Sequence, residues 1–129
     1  MSIITSTLGF PRIGPRRELK ATLENYWSGK STAATLLDDA RALRAAAWAR
    51  QHAAGITHIP SNDFSLYDHI LDTSTMVGAI PGLYGWSGGA VSLDSYFAMA
   101  RGTRGRIGGY LPAMEMTKWF DTNYHFMVP

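Results

Sequence analysis

The sequence contains no cysteine, and this absence excludes several kinds of chemistry. Without thiols the chain cannot form a disulfide framework, a thiolate metal site or a cysteine nucleophile. The absence fits a reducing compartment, so the cytoplasm is the expected location. Nowhere do about 18 apolar residues run without interruption, and the N-terminus lacks a basic region followed by an apolar core. The sequence therefore predicts neither a membrane span nor a signal peptide.

The chain also lacks a strong charge of either sign. Its 12 basic and 10 acidic side chains give a formal net charge of +2, and no long basic run supports binding to bulk nucleic acid or to a membrane surface. The length of 129 residues, 46% of them hydrophobic, predicts one globular domain with a sizeable core. Charge is therefore expected to act locally, at particular segments.

The motifs of several common enzyme sites are missing as well. The four histidines show none of the HxH, HxxxH or HExxH spacings that a metal site on one element needs. There is no GxSxG nucleophile elbow and no phosphate-loop or dinucleotide fingerprint. The residues themselves therefore predict no metal site and no hydrolytic triad within this chain.

What the chain does have is helical spacing of apolar residues alternating with short β-rich runs. Strands are predicted at residues 3–8, 56–60 and 124–128, and helices at residues 15–29, 31–55, 66–77 and 92–100. Strands separated by helices predict parallel pairing and an α/β fold. An unpaired parallel edge at residues 124–128 would then be expected to drive self-association.

Residues 9–20, GFPRIGPRRELK, place four basic side chains and one acidic side chain at a predicted helix start. Each cation there costs roughly 0.3–1 kcal/mol, because a helix N-terminus already favours anions. A bound carboxylate or phosphate would offset that cost. Arg17 and Lys20 are three residues apart and Arg16 and Lys20 four apart, so either pair could face one ligand. The alternative is a solvated face with Lys20 paired to Glu24.

Two further basic features leave alternatives open. Lys118, within MTKWF, could be a second anion contact, or it could pair with Asp121 or extend past Trp119. RGTRGRIGGY, residues 101–110, could bind RNA or could be a surface loop. An RNA-binding fragment would use its three arginines, Arg101, Arg104 and Arg106.

Four segments carry a resemblance to a known family. LGFPRIGPRRELK, IPSNDFSLYDHILDTSTMVGAIP, LDSYFAMARG and EMTKWFDTNYHFMVP resemble the opening of cobalamin-independent methionine synthase. That family is a zinc enzyme that moves a methyl group from a polyglutamylated methyltetrahydrofolate to homocysteine, without cobalamin. The segments are long, correctly ordered and spread through essentially the whole chain.

The resemblance implies a fold and an extent. The family consists of two (βα)8 barrels, and residues 1–129 would be the first βα units of the N-terminal barrel. A complete barrel takes roughly 250 residues, so the barrel would be incomplete here. In the family, zinc and homocysteine are held mainly by the C-terminal barrel, which this chain lacks. The isolated chain is therefore expected to have no methyltransferase activity.

The resemblance also implies a substrate site. Arg17, Glu18, Leu19 and Lys20 match the family's RELK segment, and Lys118 matches the lysine of its MTKWF segment. Both segments are associated with the folate substrate, and their cations would meet its glutamate tail. Two alternatives remain: a stand-alone folate- or anion-binding module without catalysis, and the RNA-binding fragment.

Overall fold

The structure, a computed structural model, describes residues 3–103 and 109–128. It contains helices and short strands, which is compatible with the predicted α/β class. It divides into two compact units, residues 1–66 and 67–129. The first unit contains helices α1 (Glu18–Trp27) and α2 (Ala33–Ala53). The second contains α3 (His69–Val77), a 3-10 turn (Gly82–Tyr84), α4 (Leu93–Arg101) and strands β1 (Met116–Lys118) and β2 (His125–Met127).

Helices α1 and α2 pack against each other through the apolar side chains that the helical spacing predicted. Leu19 and Leu36 are fully buried. The hydroxyl of Thr22 on α1 donates a hydrogen bond to the carboxylate of Asp39 on α2. Helix α2 begins at Ala33, two residues inside the predicted range of 31–55, because Thr32 is its N-cap and accepts the amide of Thr35 at 3.2 Å.

The predicted parallel pairing of residues 3–8 with residues 56–60 is present at only one bridge. Ser6 and His58 form a parallel bridge, and neither segment is a longer strand. Threonine hydroxyls add further contacts: the Thr57 hydroxyl accepts the amide of Thr5 at 2.9 Å and donates to its carbonyl oxygen at 3.0 Å. Side-chain bonds of this kind replace the ladder of backbone bonds that a longer strand would have. Within the described residues, a parallel sheet of barrel type is not formed.

Helices α3 and α4 form the second unit's core, together with β2. Leu71, Met99 and Met127 are fully buried there. Asp68 is the N-cap of α3, its carboxylate accepting the amide of Leu71 at 3.0 Å, and Ser92 caps α4 in the same way. No helix in the described parts of the chain is long and apolar enough to cross a bilayer.

The strand predicted at residues 124–128 is present, but the prediction that it forms an unpaired parallel edge is wrong. Strand β2 pairs antiparallel with β1, with Thr117 opposite Phe126 and Lys118 opposite His125. A connection of a few residues allows only antiparallel pairing, whereas a parallel pair needs a crossover of a dozen or more. The other edge of β2 is covered at Met127, whose amide donates to Asp68. The basis for predicting self-association is therefore absent.

The basic segment of residues 101–110 begins at Arg101, the last residue of α4. Gly102 has a φ of 72°, and a Cβ atom there would lie 2.7 Å from the carbonyl oxygen of Leu111, so only glycine fits. Thr103 and Leu111 then form an antiparallel bridge. Arg104 and Arg106, on which the RNA-binding alternative depends, lie outside the described residues.

Candidate anion-binding site

The chain enters α1 through a tight turn that ends in a left-handed residue. The amide of Arg17 donates to the carbonyl oxygen of Gly14 at 3.0 Å, and the amide of Leu19 reaches back to Ile13 at 3.0 Å. Arg17, the N-cap, has φ 63° and ψ 37° and no side-chain capping bond. For an L-residue other than glycine this conformation costs about 1–2 kcal/mol. Strain of this size in a basic residue at a helix start points to a functional role.

Glu18 provides part of the negative charge that this helix start favours. Its carboxylate accepts the amide of Arg16 at 2.9 Å and forms an ion pair with the Arg16 Nε at 3.1 Å. Hydrogen bonds from the amides of Glu18 itself and of Arg16 lower the pKa of this carboxyl below its ordinary value. Arg16 is therefore engaged within the segment, which leaves Arg17 and Lys20 as the pair that could face a ligand.

Arg17 and Lys20 are exposed, and neither forms an ion pair with any residue that the structure describes. The pairing of Lys20 with Glu24 that the spacing allowed is not formed. Leu19 differs from its neighbours, because its side chain is fully buried and its amide is already bonded. Leu19 therefore anchors the start of α1 in the core, while Arg17 and Lys20 extend into solvent.

Lys118 lies at the end of β1 in the second unit, opposite His125. Its side chain is exposed and has no ion pair with Asp121 or with any other described residue. Beside it, the ring of Trp119 makes edge-to-face contacts with Phe120 and Phe126, at centroid distances of 5.2 and 5.7 Å. The hairpin thus presents a cation next to an exposed aromatic cluster.

Asp68 connects this hairpin to α3 by hydrogen bonds, a role that the sequence did not predict. Its carboxylate is buried and accepts the amides of Leu71 on α3, at 3.0 Å, and of Met127 on β2, at 3.3 Å. It also accepts the hydroxyl of Tyr124 at 3.4 Å. An aspartate three residues before an apolar helical position is a signal for the cap. No local pattern signals the bond to β2, which lies 59 residues away.

A second buried contact supports α3 from α4. The hydroxyl of Tyr96 donates to the carboxylate of Asp72 at 2.5 Å and accepts the amide of Tyr67 at 3.1 Å. Burial, together with the negative charge of Asp72, raises the pKa of this phenol far above its ordinary value. Tyr96 is therefore a neutral hydrogen-bonding group at any physiological pH.

The five residues expected to meet the folate substrate are thus divided between the units. Arg17, Glu18, Leu19 and Lys20 lie at the start of α1 in the first unit, and Lys118 lies on β1 in the second. That these cations bind one ligand stays a prediction.

A zinc site can be tested against the side chains that are present. Cysteine is absent from the sequence, and within residues 3–103 and 109–128 no group of three or more histidine, aspartate or glutamate side chains could hold one metal ion. These residues do not fit a zinc centre of the kind that the resemblance places in the C-terminal barrel.

Comparison with known proteins identifies the family. The sequence profile described as "Cobalamin-independent synthase, N-terminal domain" matches residues 4–129, nearly the whole chain. The chain belongs to this family. The resemblance that the four sequence segments indicated is thereby confirmed.

Curated relatives agree with that assignment. Proteins of Rhodopseudomonas palustris strain TIE-1 and Caulobacter vibrioides are 63% and 59% identical to this member of the cobalamin-independent synthase family, over 99% and 100% of its length. A protein of Acidiphilium cryptum is 63% identical over 100% of the chain. All three are named 5-methyltetrahydropteroyltriglutamate–homocysteine methyltransferase. The chain spans only 17–18% of the length of these relatives.

Proposed function

We propose that this chain is the N-terminal segment of an enzyme that transfers a methyl group from 5-methyltetrahydrofolate polyglutamate to homocysteine, and that its own part is to bind the glutamate tail. The relatives' shared name supports the reaction. The observation that carries the binding role is the pair of exposed cations, Arg17 and Lys20, at a helix start whose backbone is strained at Arg17. In the whole enzyme this segment would open the first of two (βα)8 barrels.

The chemistry of the tail matches the groups at the start of α1. Each glutamate of the tail adds a carboxylate, and a guanidinium binds a carboxylate through two parallel hydrogen bonds. Lys20, three residues along the helix from Arg17, adds a point charge within reach of a neighbouring carboxylate. Glu18 and Leu19 belong to the same segment but act differently: Glu18 engages Arg16, and Leu19 anchors the helix in the core.

Lys118 would contribute to the same tail from the second unit. Its hairpin leaves the ammonium group exposed and unpaired among the described residues, beside the Trp119 cluster. A lysine is a point charge on a flexible stem, so it suits a carboxylate whose position varies with tail length. Zinc and homocysteine would be held by other parts of the whole enzyme, which would act in the cytoplasm.

The test is the dependence of binding on the number of glutamates. Calorimetric titration of the chain with triglutamyl and monoglutamyl 5-methyltetrahydrofolate should show tighter binding of the triglutamate, by about tenfold or more. Lys20→Ala should remove most of that preference. Lys30→Ala is the matched control, because Lys30 is exposed just beyond the other end of α1 and should leave both affinities unchanged. Equal affinity for the two folates would contradict the proposal.

A further inference from the structure

A cavity of about 130 Å³ lies in the first unit, between the middle of α2 and the loops that precede α1 and α3. Its apolar wall contains the rings of Phe10, Trp48 and Phe64. The indole of Trp48 is held in place by a hydrogen bond from its Nε1 to the carbonyl oxygen of Pro60, at 3.2 Å. Arg17 and Lys20 do not line this cavity. It is therefore distinct from the proposed tail site.

Arg44 places a buried N–H donor without a hydrogen-bond partner at the cavity. The guanidinium carbon lies 5.4 Å from the ring centroid of Phe64, a cation–π contact. Its Nε is buried without a hydrogen-bond partner, and Arg44 forms no ion pair with the residues that the structure describes. A charged donor that is removed from water and left unpaired is unfavourable, so this group favours an acceptor within the cavity.

The other charged groups that line the cavity form hydrogen bonds or add to its net positive charge. Arg12 donates to the carbonyl oxygens of Ser65 and Leu66, at 2.9 and 3.3 Å. The carboxylate of Asp63 accepts the amide of Phe10 at 2.8 Å. With Arg12, Arg44 and Arg50 against this one carboxylate, the lining carries more positive than negative charge. The ligand that it favours is an anion.

We propose that this cavity binds a small aromatic carboxylate. The carboxylate would accept from the Arg44 guanidinium, while its ring packs against Phe10, Trp48 and Phe64. Arginine binds a carboxylate through two parallel hydrogen bonds, which supplies the missing acceptor. The cavity volume of about 130 Å³ is of the same order as the roughly 150 Å³ that holds one benzene ring. The inference is independent of the proposed function, because it uses other residues and another ligand.

Comparing benzoate with benzamide distinguishes the contribution of the aromatic ring to binding from that of the negative charge. In NMR titrations followed at the Trp48 indole signal, benzoate should bind saturably with a dissociation constant in the millimolar range, as expected for a fragment of this size. Benzamide has the same shape without the charge and should bind at least about tenfold more weakly. Equal binding of the two compounds, or no saturable binding of benzoate, would overturn the proposal.

Substitutions on α2 then test whether Arg44 is the residue that binds the carboxylate. Arg44→Met should weaken benzoate binding by about tenfold or more, whereas Arg41→Met should not change it. Arg41 is the matched control, because it is exposed on the same helix and pairs with Asp38 at 2.5 Å. Equal effects of the two substitutions would contradict the assignment. If Arg44→Met does not fold, the benzoate–benzamide comparison on the unmodified chain decides.

Lys20→Ala distinguishes this site from the proposed tail site. The substitution should lower the affinity for triglutamyl folate and leave benzoate binding unchanged. If it weakened benzoate binding by the same factor as folate binding, the cavity would not be a separate site, and the proposal would fail. A loss of folate preference without benzoate binding would support the function and refute this inference.

Discussion

The start of α1 and the β1–β2 hairpin both present exposed cations that form no ion pair with any described residue, yet the two regions are held in place by different means. At α1 the determinants are local: a turn from Gly14, a left-handed Arg17, and the Glu18 carboxylate two residues from Arg16. At the hairpin, the determinant is a buried carboxylate, Asp68, that is 59 residues from its partner Met127. The helix at α1 has local signals in the sequence, whereas the long-range contact of Asp68 has none.

The largest expected effect comes from removing the long-range contact. Asp68→Ala leaves the amides of Leu71 and Met127 without their acceptor and removes the cap of α3. Hydrogen bonds to a charged group contribute roughly 1.5–3 kcal/mol, and the cap about 1 kcal/mol, so the free energy of unfolding should fall by about 3 kcal/mol. Urea denaturation measures this change.

The control for Asp68→Ala is Asp94→Ala. Asp94 is an exposed acidic residue in the first turn of α4, and its removal should change the free energy of unfolding by less than about 0.5 kcal/mol. If both substitutions had the same small effect, Asp68 would not fasten the hairpin, and the contrast between the two regions would disappear.

A smaller effect, with the opposite sign, is expected at the start of α1. Arg17→Gly relieves a left-handed conformation that glycine adopts freely, so it should raise the free energy of unfolding by about 1 kcal/mol. The same change should weaken binding of triglutamyl folate, because the guanidinium is lost. A thermal melt and a folate titration on one preparation check both expectations.

Lys20→Gly gives the matched comparison for Arg17→Gly. Lys20 lies within α1, where glycine costs about 1 kcal/mol, so this change should destabilise the chain. Destabilisation by Arg17→Gly as well would show that the left-handed residue is not strained and would remove the argument that it is kept for function.

The smallest expected effect is a pH dependence at Glu18. Its folded pKa is lowered by amide hydrogen bonds, so its contribution to stability is complete above the ordinary value of 4.5 and is lost as the pH falls through the lower, folded value. The Glu18 side chain should therefore titrate below pH 4.5 in an NMR titration. Glu18→Gln should flatten the acid side of the stability profile. A Glu18 pKa at or above 4.5 would contradict the geometry.

The sequence predicted the helices well because their signals are local. The spacing of Leu19 and Leu23 indicated α1, and Gly29, with a φ of 75°, follows that helix where a terminating glycine was expected. The helix begins at Glu18 and not at Pro15, since the turn from Gly14 takes up the intervening residues. A left-handed arginine could not have been expected, because propensity disfavours it.

The strands were harder to predict because their pairing depends on distant residues. Strand β1 was missed, since Met116–Lys118 is a short, exposed segment without apolar alternation. Its absence from the prediction left residues 124–128 without an antiparallel partner and led to the wrong direction of pairing. Strand pairing is decided by the connection and by contacts such as Asp68 to Met127, which no local window contains.

The proposal that Arg17, Lys20 and Lys118 bind one glutamate tail is tested most directly by varying the length of that tail. Affinities for folates with one, two and three glutamates should be measured on the unmodified chain and on Lys118→Met. Each added glutamate should tighten binding, and the loss of affinity caused by Lys118→Met should grow with the length of the tail. A loss of the same size for the monoglutamate, or no loss for the triglutamate, would contradict it.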